Sequence, residues 1–270
     1  MKNTKDQSNG TTEWFAELRD VHVARGEAVV LHGIDLKIKR GEHAVILGPN
    51  GCGKSSLIKV LTCECYPLAR EGSMVRIFGR ERWAVEELRK RLGVVSADLP
   101  GPSTAHTPGR DAVVSGFFAS STLWPHLVVT AEMRERAAQA MTLMEATHLA
   151  AKPVGEMSAG ETRRIMIARA LVHQPEMLLL DEPSNALDLR AQRELRETLR
   201  RLAQQETGLL LVTHHLPDVL PEIDRVILMR EGRIVGDGAK RELLTAERLG
   251  ELFGRPLDVV EREEYFHALV

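Results

Sequence analysis

Residues Gly48-Pro49-Asn50-Gly51-Cys52-Gly53-Lys54-Ser55 fit the spacing G-x-x-x-x-G-K-[ST]. A polyphosphate carries several negative charges, and successive backbone N–H groups wrapped around it satisfy them without side-chain bulk. Glycines allow the dihedrals and the close approach that such wrapping needs. A helix starting near Lys54 would aim its positive N-terminal end at the same phosphates. Lys54 supplies a cation for the β- and γ-phosphates, the Ser55 hydroxyl can ligate Mg²⁺, and Ser56 stands beside them in the same turn.

A second group lies at Leu178-Leu179-Leu180-Asp181-Glu182-Pro183, where an apolar run ends in two adjacent carboxylates. In a parallel sheet, ligands gather at the carboxyl ends of strands, so this pair should face the same phosphates. Asp181 would hold Mg²⁺, directly or through water, and Glu182 could polarise the water that attacks a γ-phosphate. Two acids at a strand end also read as a solvated turn when taken alone. The glycine-rich loop tips the reading towards chemistry.

The elements that must position these groups appear as apolar runs between turn signals. Residues 16–23 and 28–38 mix alternation with β-branched side chains, which suits antiparallel strands with one wet face. After the turn Arg40-Gly41, residues 43–47 form a short strand buried on both faces, and residues 54–62 read as a helix. Residues 177–180, 209–213 and 225–229 are three more short strands. Between them runs a helix over 189–203, whose Leu189, Leu195, Leu199 and Leu202 fall mostly on one face. Strands alternating with helices imply a parallel sheet covered on both sides. The turn Glu231-Gly232 then starts a hairpin partner at 233–235. From about 99 to 156 the alternation stops, and a Pro/Gly-rich loop leads into helical segments at 110–118 and 130–148. That stretch reads as a helical insertion, and residues 240–270 read as an amphipathic extension with a possible final strand.

Composition narrows the class. A chain of 270 residues, 43% apolar, can bury one full core. A net charge of −2 gives no electrostatic case for a nucleic-acid partner. No apolar run is long enough to span a bilayer, so direct membrane insertion is not expected. Residues 1–13 are polar, without the apolar core of a secretory signal, and read as a disordered tail before one domain over 14–270. Cys52, Cys63 and Cys65 lack the spacing of a disulfide framework or zinc site. A cytoplasmic chain is expected.

With these motifs in order, the sequence resembles the ATPase domains of ABC transporters from about Trp14 to Arg233. Met157-Ser158-Ala159-Gly160-Glu161 stands where that family has its Leu-Ser-Gly-Gly-Gln signature. Ser158 and Glu161 also make a capping box, and Ile165, Ala168 and Leu171 continue a helical stripe. The resemblance implies that Ser158 and Gly160 bind the γ-phosphate held by a second copy. Ser184-Asn185-Ala186-Leu187-Asp188 matches the family's aspartate loop, and His214 falls at its switch histidine, followed by His215 where Asp is usual.

Three departures stand out. The signature carries Ala159 and Glu161, and the carboxylate adds negative charge near a phosphate site, so slower catalysis is expected. Ala97 occupies the slot of the family's glutamine after Gly93-Val94-Val95, which leaves Ser96 or Asp98 to take over its task. Arg25 stands where an aromatic ring stacks on adenine, and a guanidinium plane can stack there instead.

The implied architecture is α/β: a P-loop NTPase with a RecA-like parallel core, an N-terminal antiparallel β element and an inserted helical subdomain at about 97–160. The implied activity is ATP hydrolysis with Mg²⁺, with Glu182, His214 and Lys54 as catalytic residues. Two copies would close around ATP. The expected role is the energising subunit of an import-type transporter, held at the inner face of the membrane by a permease. A soluble ATPase with a regulatory or stress-response role is the alternative, which Ala97 and the altered signature favour. Residues 113–118, Trp124-Pro125 and 251–266 look most like ATPases of iron-siderophore, cobalamin and molybdate uptake, and like soluble molybdenum-associated relatives.

Overall fold

Every residue of the strand Ala44–Leu47 is buried, which requires that both faces of its sheet be covered. The computed structural model describes residues 13–98, 100–118, 120 and 122–269. Most of the expected disordered tail, residues 1–12, lies outside the described residues. Glu13 is tied down, with its carboxylate 2.7 Å from Lys39 Nζ and its carbonyl accepting from the Arg40 N–H.

In chain order the strands are β1 (Trp14–Arg25), β2 (Ala28–Lys39), β3 (Ala44–Leu47), β4 (Met74–Ile77), β5 (Leu92–Val95) and β6 (Met177–Asp181). They continue as β7 (Gly208–Thr213), β8 (Arg225–Arg230), β9 (Arg233–Ala239), β10 (Asp258–Arg262) and β11 (Tyr265–Leu269). The helices are α1 (Lys54–Leu61), α2 (Val85–Arg91), α3 (Gly109–Val114) and α4 (Ala131–Leu143). After them come α5 (Ala159–Leu171), α6 (Leu189–Ala203), α7 (Lys240–Leu243) and α8 (Ala246–Phe253).

One sheet has the order β5-β6-β7-β3-β8-β9, parallel from β5 to β8, with β9 turning back antiparallel. A second sheet, β2-β1-β4, is antiparallel throughout. Alternation along the central strands sorts side chains into two cores. Ala44, Ile46, Leu179, Leu210 and Val212 pack with α1 and the antiparallel sheet. Val45, Leu47, Leu178, Leu180, Leu209 and Leu211 pack with helices α3 to α6. Successive side chains on a strand point to opposite faces, so a strand that feeds two cores must be apolar at every position. That is the physical reason for the short uninterrupted apolar runs in the sequence.

Between β5 and β6 the described residues form helices and no named strand, in keeping with the break in alternation. The α6 stripe departs from expectation. Leu195, Leu199 and Leu202 are buried, whereas Leu189 is 82% exposed. At 3.6 residues per turn Leu189 lies about 120° around the helix from Leu195, off the buried face. Two elements had no counterpart in the sequence reading, β4 and α2. β4 is short and only its last residue, Ile77, is buried, so it presents no apolar run to detect. The possible final strand is a hairpin, β10 with β11, whose Phe266 joins the same core as Leu249 and Leu252 of α8.

Candidate functional site

β3, β6 and β7 are parallel neighbours, so the segments leaving their carboxyl ends converge at one edge of the sheet. Residues 48–53 leave β3, Asp181 ends β6 with Glu182 just after it, and His214 follows β7. Backbone hydrogen bonds tie the loop to distant segments: the Gly48 N–H donates to the Thr213 carbonyl at 3.3 Å and the Gly232 N–H to the Cys52 carbonyl at 2.8 Å. Gly53 takes φ +106°, a left-handed conformation that L side chains rarely adopt, as it caps α1. It contributes no side-chain acceptor, and the first turn of α1 carries no acidic residue. The Ser56 and Leu57 N–H groups donate back to the Gly53 carbonyl at 3.0 Å, and the N–H groups of Lys54 and Ser55 open the helix at the end of the loop.

Gly48 is fixed by space. A Cβ there would run into the Met229 carbonyl oxygen and come within 2.8 Å of Cys52 Sγ. Gly48→Ala is expected to lower stability by about 1–3 kcal/mol, as overpacked sites do, and urea unfolding checks it. A midpoint equal to that of the parent would show that the loop can yield.

Lys54 is buried, and its Nζ donates to the carbonyls of Gly48 at 2.8 Å and Pro49 at 3.1 Å. The same ammonium lies 3.5 Å from Glu182 Oε1. Burial, and after it the adjacent Glu182 carboxylate, push the Asp181 carboxyl up to about 6 against the pull of Lys54. A carboxylate held in this way gains from a divalent cation beside it. The N–H groups at the start of α1, the buried ammonium and this carboxylate together form a set of groups that fits a metal-bound polyphosphate.

Glu182 adopts φ +45°, unusual for a residue with a side chain. Its Oε1 lies 2.8 Å from His214 Nδ1, and its Oε2 accepts from the Thr213 hydroxyl at 3.2 Å and the His214 N–H at 3.4 Å. A carboxylate only accepts, so Nδ1 carries the proton in this contact. The His214 ring lies against His215, with centroids 3.8 Å apart. Behind them is Asp218, which the sequence did not single out. It is buried, accepts from Ser184 Oγ at 2.6 Å and lies 3.0 Å from Thr213 Oγ1. The Thr213 hydroxyl has one proton, so it donates to Glu182 or to Asp218 but not to both at once. Burial pushes the Asp218 carboxyl up, opposed by its hydrogen bonds from Ser184 and Thr213.

The remaining sequence candidates are placed elsewhere on the chain. Ser158 caps α5, accepting from the Glu161 N–H at 3.2 Å, while its own N–H donates to Glu161 Oε2 at 2.7 Å. Lys152 Nζ donates to that same Oε2 at 2.8 Å and holds the Glu161 carboxyl below its ordinary range. The negative charge expected of Glu161 is thus matched locally. Gly160 sits against the start of α6, where a Cβ would meet the Ala191 Cβ at 3.0 Å. Asp188 caps α6 through the Ala191 N–H at 2.8 Å. Arg25 ends β1, exposed, in register with Ala28 across the hairpin. Ala97 offers only its backbone, and Ser96 Oγ donates to the Asp98 carbonyl at 3.5 Å. No local sequence signal marks Lys152, Thr213 or Asp218, because each acts on a partner that the fold delivers.

A parallel-core α/β fold with this loop at the end of β3 and an acidic pair at the end of β6 defines a P-loop nucleotide-binding protein. Residues 31–185 match the ABC transporter family, and the chain belongs to that family, among its ATP-binding components. It is 32% identical over 251 residues to YlmA of Bacillus subtilis (strain 168), an uncharacterized ABC transporter ATP-binding protein, covering 92% of this chain and 94% of that one. It is also 32% identical over 258 residues to the hemin import ATP-binding protein HmuV of Photobacterium damsela subsp. piscicida, covering 93% of each. Among solved structures it is similar to CbiO1 of Clostridium perfringens, part of the ABC transporter complex CbiONQ. There the TM-score is 0.74 at 25% identity, over 89% of this chain and 94% of that one. Among the described residues no helix is long and apolar enough to cross a membrane.

Proposed function

We propose that this chain, as one ATPase unit over residues 14–270 with its helical part at about 97–160, hydrolyses ATP to drive an ABC importer. The observation that carries hydrolysis is the Glu182–His214 contact at 2.8 Å, with Lys54 Nζ 3.5 Å from the same carboxylate. A base fixed by a histidine beside a phosphate-directed cation is what attack by water requires.

In this reading the backbone of residues 48–53, with Lys54 and Ser56, cradles the phosphates. Ser55 and Asp181 hold Mg²⁺, whose charge would stabilise the phosphoryl oxygens. Arg25 stacks on the adenine. Glu182 takes a proton from the attacking water, and His214 keeps that carboxylate aimed. Ser158 and Gly160, at the start of α5, face the γ-phosphate of a second copy, and Asp188 connects the two sites. Two copies close on two MgATP and open after hydrolysis, and a permease at the inner face of the cell membrane converts that motion into transport. Likeness to HmuV over 93% of each chain favours import, and the solved dimer of the ATP-binding cassette MJ0796 favours paired copies. The relatives give no support to a role without a membrane partner.

The test is a pull-down of tagged Glu182→Gln protein from detergent-solubilised membranes of its own source, with MgATP present. A membrane-spanning protein recovered in stoichiometric amount is expected. A clean dimer without one would overturn the transport reading.

A further inference from the structure

Arg163 is the largest fully buried side chain among the described residues, at 1% exposure. Burying a guanidinium is costly unless its charge and all its N–H groups are matched. Here its hydrogen-bond partners are neutral. Nη1 donates to the Ser96 carbonyl at 2.6 Å and Nη2 to the Ala97 carbonyl at 2.7 Å. Nε, also buried, has no hydrogen-bond partner among the described residues. Asp181 and Asp98 act on the guanidinium through space, against the burial that pulls its pKa down.

The fold explains what this clamp reaches. β5 pairs with β6 in parallel, Val95 opposite Leu180, so residues 96 and 97 leave the sheet beside Asp181. Ala97 has no polar side-chain atom, so an arginine donor can grip it only through its backbone carbonyl. Arg163 sits on α5, whose first turn carries Ser158 and Gly160. One side chain therefore joins the start of α5, the loop leaving β5 and the charge field around Asp181. A planar fork gripping two consecutive carbonyls transmits displacement more rigidly than a single flexible donor does.

We propose that Arg163 is a positioning residue that pins the backbone of Ser96 and Ala97 next to Asp181. Through it, a shift of α5 is delivered to the magnesium end of the site. This deepens the ATPase reading above and rests on it. It also accounts for the clamp itself: with Ala at 97, an arginine from α5 does through the backbone what a polar side chain at 97 would do directly.

The test compares the full-length protein with Arg163→Gln, Arg163→Lys, and Arg163→Gln combined with Ala97→Gln. Steady-state ATPase kinetics and the Mg²⁺ dependence of fluorescent-ATP binding are measured, with thermal melts alongside. Arg163→Gln is expected to lower kcat by about 10–100-fold, the scale of small misplacements in a site, with KM for ATP changed by less than about threefold. The Mg²⁺ concentration for half-maximal binding should rise. Arg163→Lys, which keeps the charge but not the fork, should stay impaired, and Ala97→Gln should recover part of the loss.

Parent-like kcat and Mg²⁺ dependence in Arg163→Gln would overturn the inference, as would a loss that Ala97→Gln leaves untouched. Should Arg163→Gln fail to fold, Arg163→Lys decides alone: parent-like turnover and Mg²⁺ dependence overturn it. Absence of turnover in the unaltered protein would instead count against the ATPase reading. In that case the Mg²⁺ dependence of nucleotide binding still tests Arg163.

Discussion

Glu182→Gln is expected to lower kcat for ATP hydrolysis by about 10²–10⁴-fold, the contribution of a positioned general base, while MgATP affinity changes by less than about threefold. The amide has nearly the same shape as the carboxylate. Its oxygen can still accept from the Thr213 hydroxyl and the His214 N–H, which Glu182 Oε2 now does at 3.2 and 3.4 Å. What is lost is basicity and charge. An amide cannot take a proton from water, and it no longer holds the His214 Nδ1 proton as a carboxylate does at 2.8 Å. Binding survives because the phosphate-directed groups, the loop amides and Lys54, are untouched. Single-turnover hydrolysis alongside nucleotide titration checks this. A variant that keeps more than about a tenth of the parent kcat would remove Glu182 from the role of base. The same substitution should populate the ATP-bound dimer, seen as an MgATP-dependent rise in mass by light scattering.

The second large effect is expected at Lys54. Lys54→Ala should weaken MgATP binding by about 10–100-fold, since a hydrogen bond to a charged group contributes roughly 1.5–3 kcal/mol and each 1.4 kcal/mol is tenfold. Three consequences act together. The cation that would meet the phosphates is gone. The carbonyls of Gly48 and Pro49 lose their donor at 2.8 and 3.1 Å, so the loop loses an internal tie. The acidic pair also loses its nearest ammonium, 3.5 Å from Glu182 Oε1, and that ammonium now opposes the upward push on Asp181. The site becomes more negative just where a polyphosphate must enter. Calorimetric titration with MgATP and MgADP checks the prediction. Affinity equal to that of the parent would mean that the loop amides alone carry the phosphates.

The two substitutions separate two tasks that the fold places together. Lys54 acts mainly on binding and Glu182 mainly on turnover, yet the groups lie within one salt-bridge distance. Their effects should fall short of adding, because neighbours that share partners couple.

How much of this was legible in the amino-acid order depends on the distance over which each feature is built. The loop at 48–55 was readable because the glycines, Lys54 and Ser55 act within two turns of chain, where spacing fixes geometry. The Ser158–Glu161 capping box was readable for the same reason, and both of its hydrogen bonds are present. The short strands were readable because burial on two faces forces unbroken apolar runs. β4 and α2 were not, since their stability comes from neighbours and leaves little pattern in their own residues. Leu189 continues the run of leucines but leaves the buried stripe, because its angle around the helix puts it in solvent.

The phosphate loop, the acidic pair, the helix cap and the α/β alternation are written in the order of residues alone, because each is set by local backbone geometry or by the period of burial. Folding is what sets Thr213 between Glu182 and Asp218, matches Lys152 to Glu161, and brings Arg163 to the carbonyls of Ser96 and Ala97. A partner 67 residues away along the chain, as Ser96 is from Arg163, leaves no periodicity in the sequence. It is the parallel register of β5, β6 and β7 that brings such partners to one edge of the sheet.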